Sequence, residues 1–86
     1  MATLKLDIVT PEALIYSEEV DMVTLPCVEG EMGVLPMHIP LMTQITHGEI
    51  VARKKGQDHY LAVGEGFVEI TGERVAILTE IGRAHV

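Results

Sequence analysis

Apolar and polar residues alternate along most of this 86-residue chain, and this period of two constrains its fold more than any other feature. Near the N-terminus, Leu4, Leu6 and Ile8 alternate with Lys5 and Asp7. Successive side chains of a β-strand point to opposite faces, so the pattern predicts a strand with one buried face. Similar short segments follow, separated by Gly, Pro and charged turn residues. The sequence therefore predicts an all-β fold, a flattened β-sandwich or barrel of about ten short strands.

Three segments make this prediction more specific. Residues 75–78 are apolar on both faces, which is typical of a central strand. Residues 13–16 form a short apolar run, and the Ser-Glu-Glu sequence at residues 17–19 predicts a turn after it. The domain is expected to span residues 1–80. Residues 81–86 have no evident strand partner and are expected to form a frayed C-terminal stub.

Residues 30–41 interrupt the alternation with two glycines, two prolines, one carboxylate and one imidazole. Proline has no N–H to donate to a central ladder, so Pro36 and Pro40 place this segment at an edge or a bend. The segment carries no set of groups that could run a reaction. It predicts a shaped surface for binding another molecule.

Composition excludes several classes of partner. Thirteen Asp and Glu residues stand against six Lys and Arg, a formal net charge of −7. Nucleic acid and anionic lipid both require a basic face, so charged partners are expected to be basic. No signal peptide opens the chain, and no apolar run approaches the roughly 20 residues that span a bilayer. The protein is expected to be soluble and to reach a membrane only through a partner.

No combination of residues predicts a catalytic, cofactor-binding or metal site. Ser17 lacks a nucleophile-elbow motif, and residues 64–66 lack the lysine of a phosphate loop. The single cysteine, Cys27, excludes an internal disulfide and is expected to act as a small half-buried hydrophobe. The spacing of the histidines matches no zinc pattern. These histidines are His38, His47, His59 and His85. The chain is therefore expected not to be an enzyme.

The order of several segments resembles the N-terminal domain of the epsilon subunit of the F-type ATP synthase. The matching segments are Leu4–Glu12, Glu29–Pro36, His38–Leu41, Gly48–Ile50 and Gly64–Ile70. The resemblance covers about residues 2–80 and implies a flattened ten-stranded β-sandwich. It also implies a non-catalytic rotor subunit of the central stalk, which links the gamma subunit to the c-ring and couples ion translocation to ATP synthesis.

The resemblance further implies where the partners bind. The residues implied to face the c-ring, whose loops carry an arginine in the family, are Gly30, Glu31 and Gly33. The residues implied to face gamma are Thr10, His38 and Thr43. The expected location is the cytoplasmic face of the bacterial inner membrane, or the equivalent organelle compartment. The chain would be held there only through the complex.

Two departures from the family pattern limit what the resemblance implies. Met37 replaces the small residue, usually glycine, that commonly precedes the histidine. The chain also stops at Val86, where the family normally continues into a C-terminal helical hairpin that inhibits hydrolysis and in some bacteria binds ATP. This chain is therefore expected neither to inhibit ATP hydrolysis nor to bind ATP.

One alternative from another class is a lipoyl- or biotinyl-type carrier domain, which is also an acidic β-sandwich of about this size. Lys54 or Lys55, in a predicted hairpin loop, would then be the modified residue. Neither lysine follows the Asp or Met that usually marks the acceptor lysine.

Overall fold

The computed structural model describes residues 2–80 in full and the backbone of residues 82–85. The described residues form ten β-strands and no helix, which confirms the predicted all-β fold. The strands are β1 (Leu4–Val9), β2 (Leu14–Val20), β3 (Met22–Cys27), β4 (Gly30–Val34), β5 (Leu41–Ile45), β6 (Gly48–Lys54), β7 (Gln57–Val63), β8 (Gly66–Thr71), β9 (Arg74–Thr79) and β10 (Gly82–His85).

The strands form two layers of five. The first layer has the order β4-β3-β6-β7-β10 and the second has the order β5-β8-β9-β1-β2. A single pairing between Cys27 of β3 and Ile45 of β5 joins the layers along one side. Neighbouring strands are antiparallel except β1 and β9, which are parallel. Two packed layers that bury one face each are the arrangement expected of a β-sandwich.

The core lies between the two layers and is aliphatic. Its buried side chains occupy alternate positions along the strands, as the period of two predicts. They are Leu4, Leu6, Ile8, Val20, Val23, Leu25, Val34, Ile45, Ile50, Ala52, Leu61, Val63, Val68, Ile70, Val75 and Ile77.

Strand β9 is central, as the sequence predicts, but its two faces differ. It lies between β8 and β1 in the middle of the second layer. Val75 and Ile77 on its inner face are buried in the core. On its outer face Ala76 is half-buried and Leu78 remains 54% exposed. The apolar outer face of this strand is therefore not explained by the core of the sandwich.

The predicted turn at residues 17–19 is wrong, because β2 continues to Val20 and pairs with β1. Hydrogen bonds from other strands satisfy its polar side chains. Ser17 Oγ donates to Asp7 Oδ1 at 2.6 Å, and Lys54 Nζ donates to Glu18 Oε1 at 2.6 Å. The Lys54 ammonium lowers the pKa of the Glu18 carboxyl. A polar sequence is thus accommodated in an edge strand that faces solvent.

The C-terminal residues also differ from the expectation of a frayed stub. Gly82–His85 form β10, which pairs antiparallel with β7. Strand β7 is therefore paired with β6 on one side and with β10 on the other. Residues 81 and 86, which also belong to the predicted stub, lie outside the described residues.

Met37 has an unusual backbone conformation in the loop between β4 and β5. Its φ is +70°, a left-handed value that costs a non-glycine residue about 1–2 kcal/mol. The conformation brings the Met37 N–H to the carbonyl oxygen of Gly72 at 2.7 Å. This geometry explains why a glycine suits the position, and the Met37 side chain is 76% exposed, so it gains little from burial.

We expect Met37→Gly to raise the free energy of unfolding by about 1 kcal/mol, because glycine adopts this φ without strain. The measurement is urea denaturation of the two proteins. The matched control is Leu35→Gly in the same loop, an exposed position where φ is not left-handed. That control should lower the free energy of unfolding. A loss of stability in both variants would contradict the assignment of strain to Met37.

Candidate functional site

The pairing of the strands brings several turns to one end of the sandwich. Cys27 pairs with Ile45, and the Thr46 N–H donates to the carbonyl oxygen of Pro26 at 2.9 Å. These contacts align the end of β3 with the end of β5. The register of the remaining strands, which are antiparallel except for β1 and β9, places residue 80 and four connections between strands at this end. The four connections are residues 10–13, 28–29, 46–47 and 64–65.

This end, termed the acidic end, carries a group of exposed carboxylates. They belong to Glu12, Glu29, Glu31, Glu65 and Glu80. The Lys and Arg side chains that the structure describes lie towards the opposite end. They are Lys5, Arg53, Lys54, Lys55 and Arg74. The ion pairs found among the described side chains also lie away from the acidic end. The charge of the domain is therefore polarised along the strands.

Two of the residues implied to face the c-ring lie together at the acidic end. Gly30 follows the two-residue turn that joins β3 to β4, and its φ of +122° favours glycine. Glu31 is exposed on β4, opposite Pro26. The third, Gly33, lies farther along β4. A Cβ at Gly33 would come within 2.9 Å of Met22 Cε, the flexible end of a side chain, so glycine is less strictly required there.

The residues implied to face gamma do not form one cluster. Thr10 lies at the acidic end, Thr43 lies midway along β5, and His38 lies in the loop at the opposite end. The Thr10 side chain is buried, and its hydroxyl donates to the carbonyl oxygen of Ala13 at 3.2 Å. Thr43 is half-buried. His38 Nδ1 donates to the carbonyl oxygen of Ile39 at 2.7 Å. The three positions span the length of the second layer rather than a single contact point.

A row of exposed apolar side chains crosses the outer face of the second layer. Phe67 pairs with Leu78, Leu78 pairs with Val9, and Val9 pairs with Leu14. These four residues, termed the apolar row, are 53%, 54%, 36% and 59% exposed. Paired strands lie about 4.8 Å apart, so the row is roughly 15 Å long. No sequence motif marks this surface; its only sequence signal is an apolar residue at an outward position of each strand.

The described residues do not assemble the chemistry of a metal centre. Within residues 2–80, no three His, Cys, Asp or Glu side chains come together in a way that could hold a metal ion. Cys27 is half-buried, as predicted, and burial raises the pKa of its thiol. Lys54, one of the two lysines that a carrier domain would modify, is in the ion pair with Glu18. Among the described residues, no helix is long and apolar enough to span a membrane.

Together, these features define a two-layer β-sandwich with an acidic end and an apolar outer face. Residues 3–83 match the model of a family described as the ATP synthase delta/epsilon chain, β-sandwich domain. The match covers nearly the whole chain, so the chain belongs to this family. The family assignment replaces the carrier-domain alternative.

Curated relatives named ATP synthase epsilon chain agree with this assignment. The chain is 49% identical to the one from Dehalococcoides mccartyi over 80 residues, which are 93% of this chain and 57% of the relative. It is 42% identical to the one from Alkalihalophilus pseudofirmus over 80 residues, which are 93% of this chain and 60% of the relative. The chain therefore spans somewhat more than half the length of these relatives.

Solved structures share the fold. A chain of the Euglena gracilis mitochondrial ATP synthase, in a structure described as OSCP/F1/c-ring, matches with a TM-score of 0.90 and 25% identity, covering 98% of this chain and 54% of that chain. A chain of the Tetrahymena thermophila mitochondrial ATP synthase central stalk and c-ring matches with a TM-score of 0.75 and 14% identity, covering 93% of this chain and 65% of that chain. The second match supports the fold alone.

Proposed function

We propose that this β-sandwich is a non-catalytic rotor domain of an F-type ATP synthase. It would join the gamma subunit to the c-ring, so that rotation driven by ion translocation is transmitted to ATP synthesis. The observation that carries this proposal is the polarised charge of the sandwich: five exposed carboxylates lie at one end, and the described Lys and Arg side chains lie towards the other. Relatives named epsilon chain, and a similar chain in a structure described as OSCP/F1/c-ring, support it.

The acidic end is the part that would rest on the c-ring. Gly30 and Glu31 lie at this end, and Gly33 continues the same edge strand. The family resemblance implies an arginine on the loops of the ring. An exposed ion pair is worth only about 0–1 kcal/mol, but several carboxylates facing one basic surface steer and orient the contact. Complementary charge would thus orient the domain on the ring.

The second layer is the part that would hold gamma. Thr10, His38 and Thr43 mark three points along it, from the acidic end to the opposite end. The Thr10 hydroxyl is already hydrogen-bonded to the backbone of Ala13 in the same turn. Residues next to Thr10, rather than its hydroxyl, would therefore contact gamma. A stiff two-layer body with contacts along its length suits the transmission of torque. The domain would reach the membrane surface only through the complex.

The test is Glu31→Lys, assembled into an otherwise complete ATP synthase in membrane vesicles. We expect ATP-driven proton pumping to fall several-fold, because the reversed charge repels a basic ring surface. Thermal unfolding should change little, since Glu31 is exposed. Glu73→Lys is the matched control, because Glu73 is exposed in a turn at the opposite end. Equal pumping by both variants and the unmodified chain would remove Glu31 from the proposed ring contact.

A further inference from the structure

We propose that Pro26 is a positioning residue for Glu31. Its ring, held in place by Gly48, forms an apolar backing that restricts the Glu31 side chain and presents the carboxylate at the acidic end. The inference rests on the proposed function in one respect, because it takes Glu31 as a contact with the basic surface of the c-ring. Pro26 itself is not among the residues that the family resemblance implies to face a partner.

The strand register places Pro26 directly beside Glu31. The two residues are opposite each other in the antiparallel pair of β3 and β4. The carbonyl oxygen of Pro26 accepts from the Thr46 N–H at 2.9 Å, on the edge of β3 that faces β5 and β6 rather than β4. Pro26 and Glu31 therefore form a non-hydrogen-bonded pair, the kind in which facing Cα atoms come closest, about 4.5 Å apart.

Both side chains lie on the outer face of the first layer. Leu25 is buried in the core and Met32 packs against it, and these residues adjoin Pro26 and Glu31 along their strands. Alternation therefore turns Pro26 and Glu31 outwards. Pro26 is half-buried, whereas Glu31 is exposed. Facing residues on one side of a ladder have Cβ atoms about 4.5–5.5 Å apart, so the proline ring borders the stem of the glutamate.

The Pro26 ring is held from another side by Gly48, at the start of β6. A Cβ built on Gly48 would lie 3.1 Å from Pro26 Cβ and 3.5 Å from Pro26 Cγ, so the backbone of Gly48 already lies against the ring. The ring is also bonded to its own backbone nitrogen, which leaves it no side-chain rotation away from Glu31. The backing is therefore rigid.

Packing, rather than hydrogen bonding, restrains the Glu31 side chain. Among the described residues, none forms a hydrogen bond or an ion pair with its carboxylate. The next outward position along β4 is Gly33, and Met22 Cε lies 2.9 Å from where a Cβ would be there. Pro26 across the ladder and Met22 along the strand thus border the glutamate. A side chain restrained before binding loses less rotamer freedom on binding, which strengthens its contact with a cation.

The test measures coupling in a complete ATP synthase in membrane vesicles, as protons pumped per ATP hydrolysed. We expect Pro26→Ala to lower this ratio about two-fold, because the Glu31 side chain is then free to rotate. Pro26→Val keeps an apolar side chain in the same place and should restore most of the coupling. Val51→Ala is the matched control, a half-buried position on β6 of the same layer, two strands away from β4. It should couple as the unmodified chain does.

The same substitution is then made in a chain that lacks the Glu31 charge. Glu31→Gln should itself lower the ratio. Pro26→Ala should have no further effect in that background, because a positioning residue acts only through the group that it positions. Gly48→Ala is a second variant, since its Cβ would press on the Pro26 ring. It too should lower coupling when Glu31 is present and have no further effect in the Glu31→Gln background.

Urea denaturation of each chain reports the cost to the fold separately. If Pro26→Ala lowers coupling equally in both backgrounds, or Pro26→Val fails to restore it, the proline serves the fold and the positioning role is overturned. Unchanged coupling in Pro26→Ala beside a loss in Glu31→Gln has the same meaning. Each of these results leaves the proposed function standing. Unchanged coupling in Glu31→Gln would overturn the ring contact of Glu31 and the positioning role together.

Discussion

Replacing Gly66 with alanine is expected to lower the free energy of unfolding by about 2–3 kcal/mol. A Cβ at this position would lie 2.0 Å from the carbonyl oxygen of Leu78 and 2.9 Å from Thr79 Cα. Both atoms belong to the backbone of β9, which pairs with β8. The clash cannot be relieved by a side-chain rotation, so the ladder at the start of β8 must shift.

Gly72→Ala provides the control for this substitution. Gly72 lies at the other end of the same hairpin, in the turn between β8 and β9, and a Cβ there would meet no atom within 4 Å. The free energy of unfolding of the Gly72→Ala variant should differ from that of the unmodified chain by no more than about 0.5 kcal/mol. The measurement is urea denaturation of both variants, which gives the two free energies of unfolding for comparison. Small and equal changes would show that β9 moves aside at low cost, and that close backbone approach does not require glycine at residue 66.

The strands that sequence predicts well are those whose pattern is local. The alternation of Leu4, Leu6 and Ile8 indicates β1, and the apolar residues 75–78 indicate a central β9. In both strands the polarity of consecutive residues is enough to indicate the strand. Strand β2 is different. Ser17 is satisfied by Asp7, and Glu18 by Lys54, which lies 36 residues away. The residues next to this polar segment in the sequence do not indicate that Asp7 and Lys54 will bind it, so the segment is misinterpreted as a turn.

The candidate surfaces are harder to predict for the same reason. Glu31 and Gly30 stand out in the sequence because they belong to the glycine- and proline-containing segment at residues 30–41. The acidic end as a whole does not, since its carboxylates come from residues 12 to 80 and meet only through the strand register. The apolar row is likewise assembled from residues 9, 14, 67 and 78. Outward apolar residues are ordinary one at a time, and their significance depends on which strands become neighbours.

Adjacent residues of β9 offer a direct test of this division between core and surface. Ile77 is 1% exposed on the inner face, whereas Leu78 is 54% exposed on the outer face. Truncation of a buried isoleucine to alanine costs about 2–5 kcal/mol, through lost burial and the cavity left behind. A domain of this size has a total stability of about 4–13 kcal/mol. Ile77→Ala should therefore remove a large part of the stability.

Leu78→Ala removes a similar volume one residue away and should change the free energy of unfolding by less than about 1 kcal/mol, because the side chain is already half in water. Binding to an ATP synthase F1 complex that contains gamma and lacks its own epsilon should show the reverse order. Leu78→Ala should weaken it several-fold, and Ile77→Ala should leave it unchanged under conditions where that variant is folded. Urea denaturation and the binding measurement are made on both variants. If Leu78→Ala proved as destabilising as Ile77→Ala and left binding intact, the outer face of β9 would belong to the folding of the domain rather than to its partner.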